Sequence, residues 1–144
     1  MTPEQWSTIR HFVPQEFACR DAIGAPCAYC GGREGMDYHF VLRLDTARDL
    51  LGEPMVVTSG SRCPIRNKEV GGSPISAHLF EWQESDGKQS MAADLADHKD
   101  PVYRGRLLEA LWGAGFRQFE ASRDGHLHVH LDNAKPSPFL GIEP

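Results

Sequence analysis

The chain is expected to fold as an α+β protein, with a small, mainly antiparallel sheet flanked by helices. Two segments carry apolar residues at helical spacing, around 40–51 and 107–112. Short runs of β type occur at 55–58, 91–95, 116–120 and 126–132. Helices and short strands in this order, with no internal repeat, favour one α+β domain spanning residues 1–144.

Each element has its own local cause. Thr2-Pro3-Glu4-Gln5 has the form of a helix start, with Thr2 as N-cap, Pro3 in the first turn and Gln5 closing a capping box. That helix should stop before Pro14. From Pro14 to Asp37 the composition shifts to Gly, Ala, Cys and Asp, an irregular segment that needs a local staple. Phe40, Val41, Leu44, Ala47, Leu50 and Leu51 then mark an amphipathic helix ending at Gly52. Met55-Val56-Val57-Thr58 reads as a strand, Ser59-Gly60-Ser61-Arg62 as the turn leaving it, and 64–77 as mostly loop. Met91-Ala92-Ala93-Asp94-Leu95 is a second strand. Asp100-Pro101 caps a helix whose Leu107, Leu108, Leu111 and Trp112 should face the core until Gly113 and Gly115 end it. Phe116–Glu120 and His126–Asp132 complete a hairpin turned at Ser122-Arg123-Asp124-Gly125.

Composition excludes several function classes. With 40% hydrophobic and 24% charged residues the chain is neither disordered nor membrane-spanning. No apolar run approaches the roughly 20 residues that cross a bilayer, so no membrane insertion is expected. A net charge of -5 and the lack of a basic stripe argue against a nucleic-acid partner. The first residues show no basic and apolar leader, so no secretory signal is expected.

His126-Leu127-His128-Val129-His130-Leu131 alternates imidazole with aliphatic side chain. On a strand this puts three imidazoles on one face. Neutral imidazole is the commonest protein metal ligand, so the face suggests a metal, against the alternative of a solvated strand with a chance run of histidines. A catalytic zinc needs three protein ligands and an open position. His78, after a Gly-rich loop, and Asp94, after two alanines, are candidate companions for His128.

Several ordered motifs carry a resemblance. Val57-Thr58-Ser59-Gly60-Ser61-Arg62-Cys63-Pro64 is followed by Asn67, Val70-Gly71-Gly72, Ser76-Ala77-His78-Leu79, Ala92-Ala93-Asp94-Leu95 and Leu127-His128-Val129. Together with Glu16-Phe17-Ala18-Cys19, this series resembles the zinc D-Ala-D-Ala carboxypeptidase family, whose relatives include phage L-alanyl-D-glutamate endopeptidases and which has the Hedgehog/DD-peptidase fold. The resemblance implies one Zn2+ held by His78, Asp94 and His128, with Arg62 contacting substrate and stabilising the developing oxyanion. Ser76 joins Arg62 as a substrate-binding candidate. The implied function is hydrolysis of peptide bonds in peptidoglycan stems. Origin as a phage lysis protein is implied too, made in the cytoplasm and reaching the wall after holin-type release.

The chain departs from the family in two places. Residues 80–90 form a longer, acidic insertion between the His and Asp ligands, which makes Asp86 a rival ligand to Asp94. Some relatives carry a carboxylate three residues before the last zinc His, and here that position is Gly125. His126, two residues before His128, is therefore the expected base or transition-state donor, with Asp124 and Glu120 as alternatives. His130 stands where relatives often carry Asp, and is expected to orient a neighbour. Taken without the family, Arg62 reads as a surface ion pair with Glu69 or Asp94.

Cys19, Cys27 and Cys30 cluster in sequence, Cys27-Ala28-Tyr29-Cys30-Gly31-Gly32 has the form of a zinc knuckle, and Cys63 lies apart. A closed structural zinc, one or two disulfides, and free buried thiols are all open readings. Two other function classes stay open as well: a zinc-binding module without turnover, and a structural virion component. Oligomeric state is not legible.

Overall fold

The computed structural model describes residues 1–83, 87–131 and 140–142. Thr2 caps helix α1 (Pro3–Trp6): its hydroxyl accepts from the Gln5 N–H, and the Gln5 side chain accepts from the Thr2 N–H. A 3₁₀ turn, Pro14–Phe17, comes next. Helix α2 (Tyr38–Leu51) opens on Asp37, whose carboxylate accepts from the Phe40 N–H, and closes on Gly52 at φ 73°. Helix α3 is Pro64–Glu69. Helix α4 (Pro101–Gly113) is capped by Asp100, which accepts from the Val102 and Tyr103 N–H groups.

The strands are β1 (Val57–Ser59), β2 (Ala92–Ala96), β3 (Gln118–Ala121), β4 (His126–His130) and β5 (Leu140–Ile142). They lie in the order β1-β2-β4-β3-β5, antiparallel throughout except for β5, which runs parallel to β3. The α+β class and the mainly antiparallel sheet are thus as expected. Ala93, Leu95, Phe119, Leu127 and Val129 form the apolar face of the sheet. They join one buried cluster with Phe40 and Leu44 of α2 and Leu107 and Leu111 of α4. Phe40 and Phe116 meet edge to face at 5.5 Å within it.

Three details differ from expectation, each for a local reason. Residues 64–69 are helical, not loop: Pro64 presets the first turn and the Cys63 sulfur accepts from the Arg66 N–H. Six residues are too few to show a helical period. Leu50 and Trp112, expected in the core, are 57% and 42% exposed. Each is adjacent to a core residue, Leu51 or Leu111, and neighbours on a helix point about 100° apart. Trp112 instead stacks under the Arg117 guanidinium, 3.7 Å from its ring centre. Strand β5 was not anticipated, since three residues among prolines carry no alternation.

Candidate metal centre and active site

Strand β4 separates two chemistries. Leu127 and Val129 enter the core, and His126, His128 and His130 occupy the other face. In register, His128 lies opposite Asp94 of β2 on one side and Glu120 of β3 on the other. Directly paired residues share a face, so the three form a row across the sheet. His128 Nδ1 lies 2.9 Å from Asp94 Oδ1. His78 comes from the segment after α3 and completes the group, with Nε2 3.1 Å from His128 Nδ1 and 3.2 Å from Asp94 Oδ1.

Two glycines explain how His78 reaches that point. The Gly60 carbonyl accepts from His78 Nδ1 at 2.7 Å. A Cβ on Gly60 would stand 2.7 Å from Phe17 Cα, so only glycine lets this backbone pass and present its carbonyl. Farther along, Asn67 Nδ2 donates to the Ser73 carbonyl at 3.0 Å, and the Gly72 N–H donates to the Asn67 carbonyl at 2.8 Å. A Cβ on Gly72 would meet Asn67 Oδ1 at 2.1 Å. This closure sets the position of Ser76, whose hydroxyl accepts from the His78 N–H and from Arg62 Nη2.

The hydrogen bonds also assign the lone pairs. A carbonyl only accepts, so His78 carries its proton on Nδ1 and turns the Nε2 lone pair toward Asp94 and His128. His128 Nε2 meets His130 Nδ1 at 2.9 Å, which places the His128 lone pair on Nδ1 when Nε2 donates. Burial pushes the His78 pKa down, outweighing the pull of Asp94, so the ring is neutral. Burial alone would raise Asp94, but His78 and His128 hold its carboxyl well below the usual carboxylate range. Two imidazole nitrogens and a carboxylate oxygen, all within 4.8 Å of one another, form a donor set that suits a divalent cation. The residues present therefore fit zinc.

One side of the triad opens into a cleft of about 460 Å³ that Arg62, Ser76, Glu120, Asp124 and His126 also line. His126 Nε2 is 3.9 Å from Asp94 Oδ2. The Arg62 backbone is pinned as well, its N–H donating to the His78 carbonyl and its carbonyl accepting from the Phe80 N–H. Glu69, the ion-pair partner considered for Arg62, pairs with Arg66 instead. Three ligand atoms with an open fourth side are the arrangement of a hydrolytic site rather than a closed structural one.

Residues 10–132 match the family model described as Peptidase M15. The chain belongs to the M15 peptidase family. M15 peptidases are zinc metallopeptidases, and the matched span contains His78, Asp94 and His128. No curated protein matches the chain. Among the described residues, no helix is long and apolar enough to cross a membrane.

In this M15 chain His130 lies behind His128, outside the group of converging ligands. Asp86, the rival ligand, lies outside the described residues. Three participants escaped the sequence reading: the Gly60 carbonyl, the Asn67 closure, and Lys88, whose Nζ donates to the Ser76 carbonyl at 3.1 Å. Asn67 and Gly72 were visible as motif residues, but their mutual contact is not encoded in their spacing. Cys19, Cys27, Cys30 and Cys63 are all buried, none is disulfide-bonded, and they gather in a second cluster with Phe80.

Proposed function

We propose that this M15 chain is a zinc-dependent hydrolase of peptide bonds in bacterial peptidoglycan stems. The observation that carries the reading is the convergence of His78, Asp94 and His128 at the floor of a cleft that Arg62 also lines. When bound there, zinc polarises a carbonyl and makes water a stronger acid. The chain's own groups do the rest. Ser76 holds the Arg62 guanidinium, which donates to the scissile carbonyl oxygen as negative charge develops on it. Glu120, in register with His128, takes the proton of the attacking water. His126, at the edge of the triad, gives a proton to the departing amine.

The test is incubation of the purified protein with defined muropeptides, with zinc and with chelator, and identification of products by mass. Cleavage with zinc, lost with chelator and lost in His78→Ala, supports the reading, and the product masses name the bond. Cleavage that survives His78→Ala overturns the ligand assignment. A second reading, a zinc-binding module without turnover, is favoured by Gly125 standing where some relatives of the resembled family carry a carboxylate. Zinc retention with no cleavage of any stem or cross-bridge would select it.

A further inference from the structure

A second group of metal-ligating side chains lies outside the cleft. The Sγ atoms of Cys19, Cys27, Cys30 and Cys63 lie within 4.8 Å of one another, and all four residues are buried. Cys27 Sγ and Cys63 Sγ are 3.8 Å apart. A tetrahedral zinc with Zn–S bonds of about 2.3 Å spaces its sulfurs about 3.8 Å apart. A disulfide needs about 2.0 Å.

Backbone N–H groups point at three of the four sulfurs, opposing the burial that raises the Cys19 and Cys63 thiols. The Cys63 N–H points at Cys19 Sγ at 3.4 Å, and the Arg66 N–H points at Cys63 Sγ at 3.4 Å. The Tyr29 and Cys30 N–H groups point at Cys27 Sγ. Charge-assisted bonds of this kind favour the deprotonated sulfur that binds metal. The Cys27-Ala28-Tyr29-Cys30 turn closes through the Gly31 N–H on the Cys27 carbonyl at 2.8 Å, with Gly31 and Gly32 both at φ 75°. A Cβ on Gly32 would stand 2.8 Å from Pro26 Cβ, so the turn tolerates no side chain there.

The same segment is held by turn and loop hydrogen bonds, such as the Cys19 N–H to the Arg33 carbonyl and the Cys27 N–H to the Cys19 carbonyl, rather than by regular elements. Between the 3₁₀ turn and α2 no helix or strand forms, apart from a single bridge between Arg20 and Pro26 and one from Met36 to Ser90. The cluster around the cysteines contains one large apolar side chain, Phe80, with Trp82 packed at its edge. Four thiols and one ring supply too little apolar burial to order so long an irregular stretch.

We propose that Cys19, Cys27, Cys30 and Cys63 bind a second zinc ion, structural and closed to substrate, which ties residues 19–30 to the turn that carries Arg62. Four thiolates complete the tetrahedral shell and leave no position for water. Cys63 follows Arg62 directly, and Arg62 is paired through its backbone with His78 and Phe80. The ion thereby anchors one wall of the cleft without touching the reaction.

The decisive measurement uses the whole chain carrying His78→Ala, which removes a cleft ligand and leaves the cysteines untouched. Purified under reductant and loaded with zinc, this protein is expected to retain one zinc per chain. Its four thiols should resist iodoacetamide until the metal is stripped. Loaded with cobalt(II) instead, it should show the intense thiolate-to-cobalt charge-transfer absorption of a four-sulfur site. The unaltered protein should hold two zinc ions, and Cys27→Ser with Cys30→Ser should hold one. If the double variant does not fold, the His78→Ala measurements decide alone. Absence of retained zinc in His78→Ala, equal alkylation with and without zinc, or a mass showing disulfides in the freshly reduced protein would each overturn the proposal. None of these readouts depends on peptidase activity, so a failed muropeptide assay leaves this site standing, and the reverse.

Discussion

His78 shows how much chemistry one residue takes from its surroundings. The Gly60 carbonyl fixes its tautomer, burial keeps it neutral, and the result is a lone pair aimed at two other ligands. Replacing Gly60 with alanine forces its Cβ against the Phe17 backbone and should destabilise the fold by about 1–3 kcal/mol, read from denaturant unfolding. His130 acts one shell out, through His128 Nε2. His130→Ala should weaken zinc binding at the cleft by about 10–100-fold, measured by competition with a chromophoric chelator, with circular dichroism confirming the fold. The role proposed for Arg62 is felt only as charge develops. Arg62→Ala should lower kcat by about 10²–10³-fold with a smaller change in KM, and Arg62→Lys should recover part of the loss because the charge survives without the fork that reaches Ser76.

At the scale of elements, the sheet sets the order of the proposed catalytic groups. Asp94, His128 and Glu120 stand in one row because β2, β4 and β3 are neighbours in that register. A slip of one residue in β4 would turn His128 into the core and Leu127 into the cleft. The row also separates the proposed proton-transfer roles. Glu120→Gln and His126→Asn should each lower kcat by about 10²–10⁴-fold, with zinc content unchanged in both. If Glu120→Gln keeps full activity, the base lies elsewhere. Helix α3 and the Asn67–Gly72 closure serve the same end from the opposite direction, since they deliver Ser76 and His78.

At the scale of the molecule, two buried clusters among the described residues carry the fold, a large apolar one and a small sulfur-rich one. Ligands that bind only the folded state stabilise it by mass action, by about 2.7 kcal/mol for a site at 100 times its Kd. Zinc should therefore raise Tm, and chelation should lower it. In His78→Ala the zinc-dependent rise should shrink but persist, because the proposed cysteine site remains. A rise that vanishes entirely in that variant would place all the metal-linked stability at the cleft.

The parts of this protein that can be read from its chain are those whose cause is local. Apolar spacing marked α2 and α4, Asp100 marked the start of α4, and the alternation of 126–131 marked a strand with a histidine face. The candidate ligands His78, Asp94 and His128 were reachable through a series of ordered motifs. Tertiary structure alone decided what depends on contacts between distant segments. It set helix α3 in a stretch too short to be periodic, and turned Leu50 and Trp112 outward beside better-placed neighbours. It also brought Cys63 to three cysteines more than 30 positions earlier. Local sequence fixes dihedral preferences and faces, whereas a site is a meeting of faces, and that meeting is set by how the core packs.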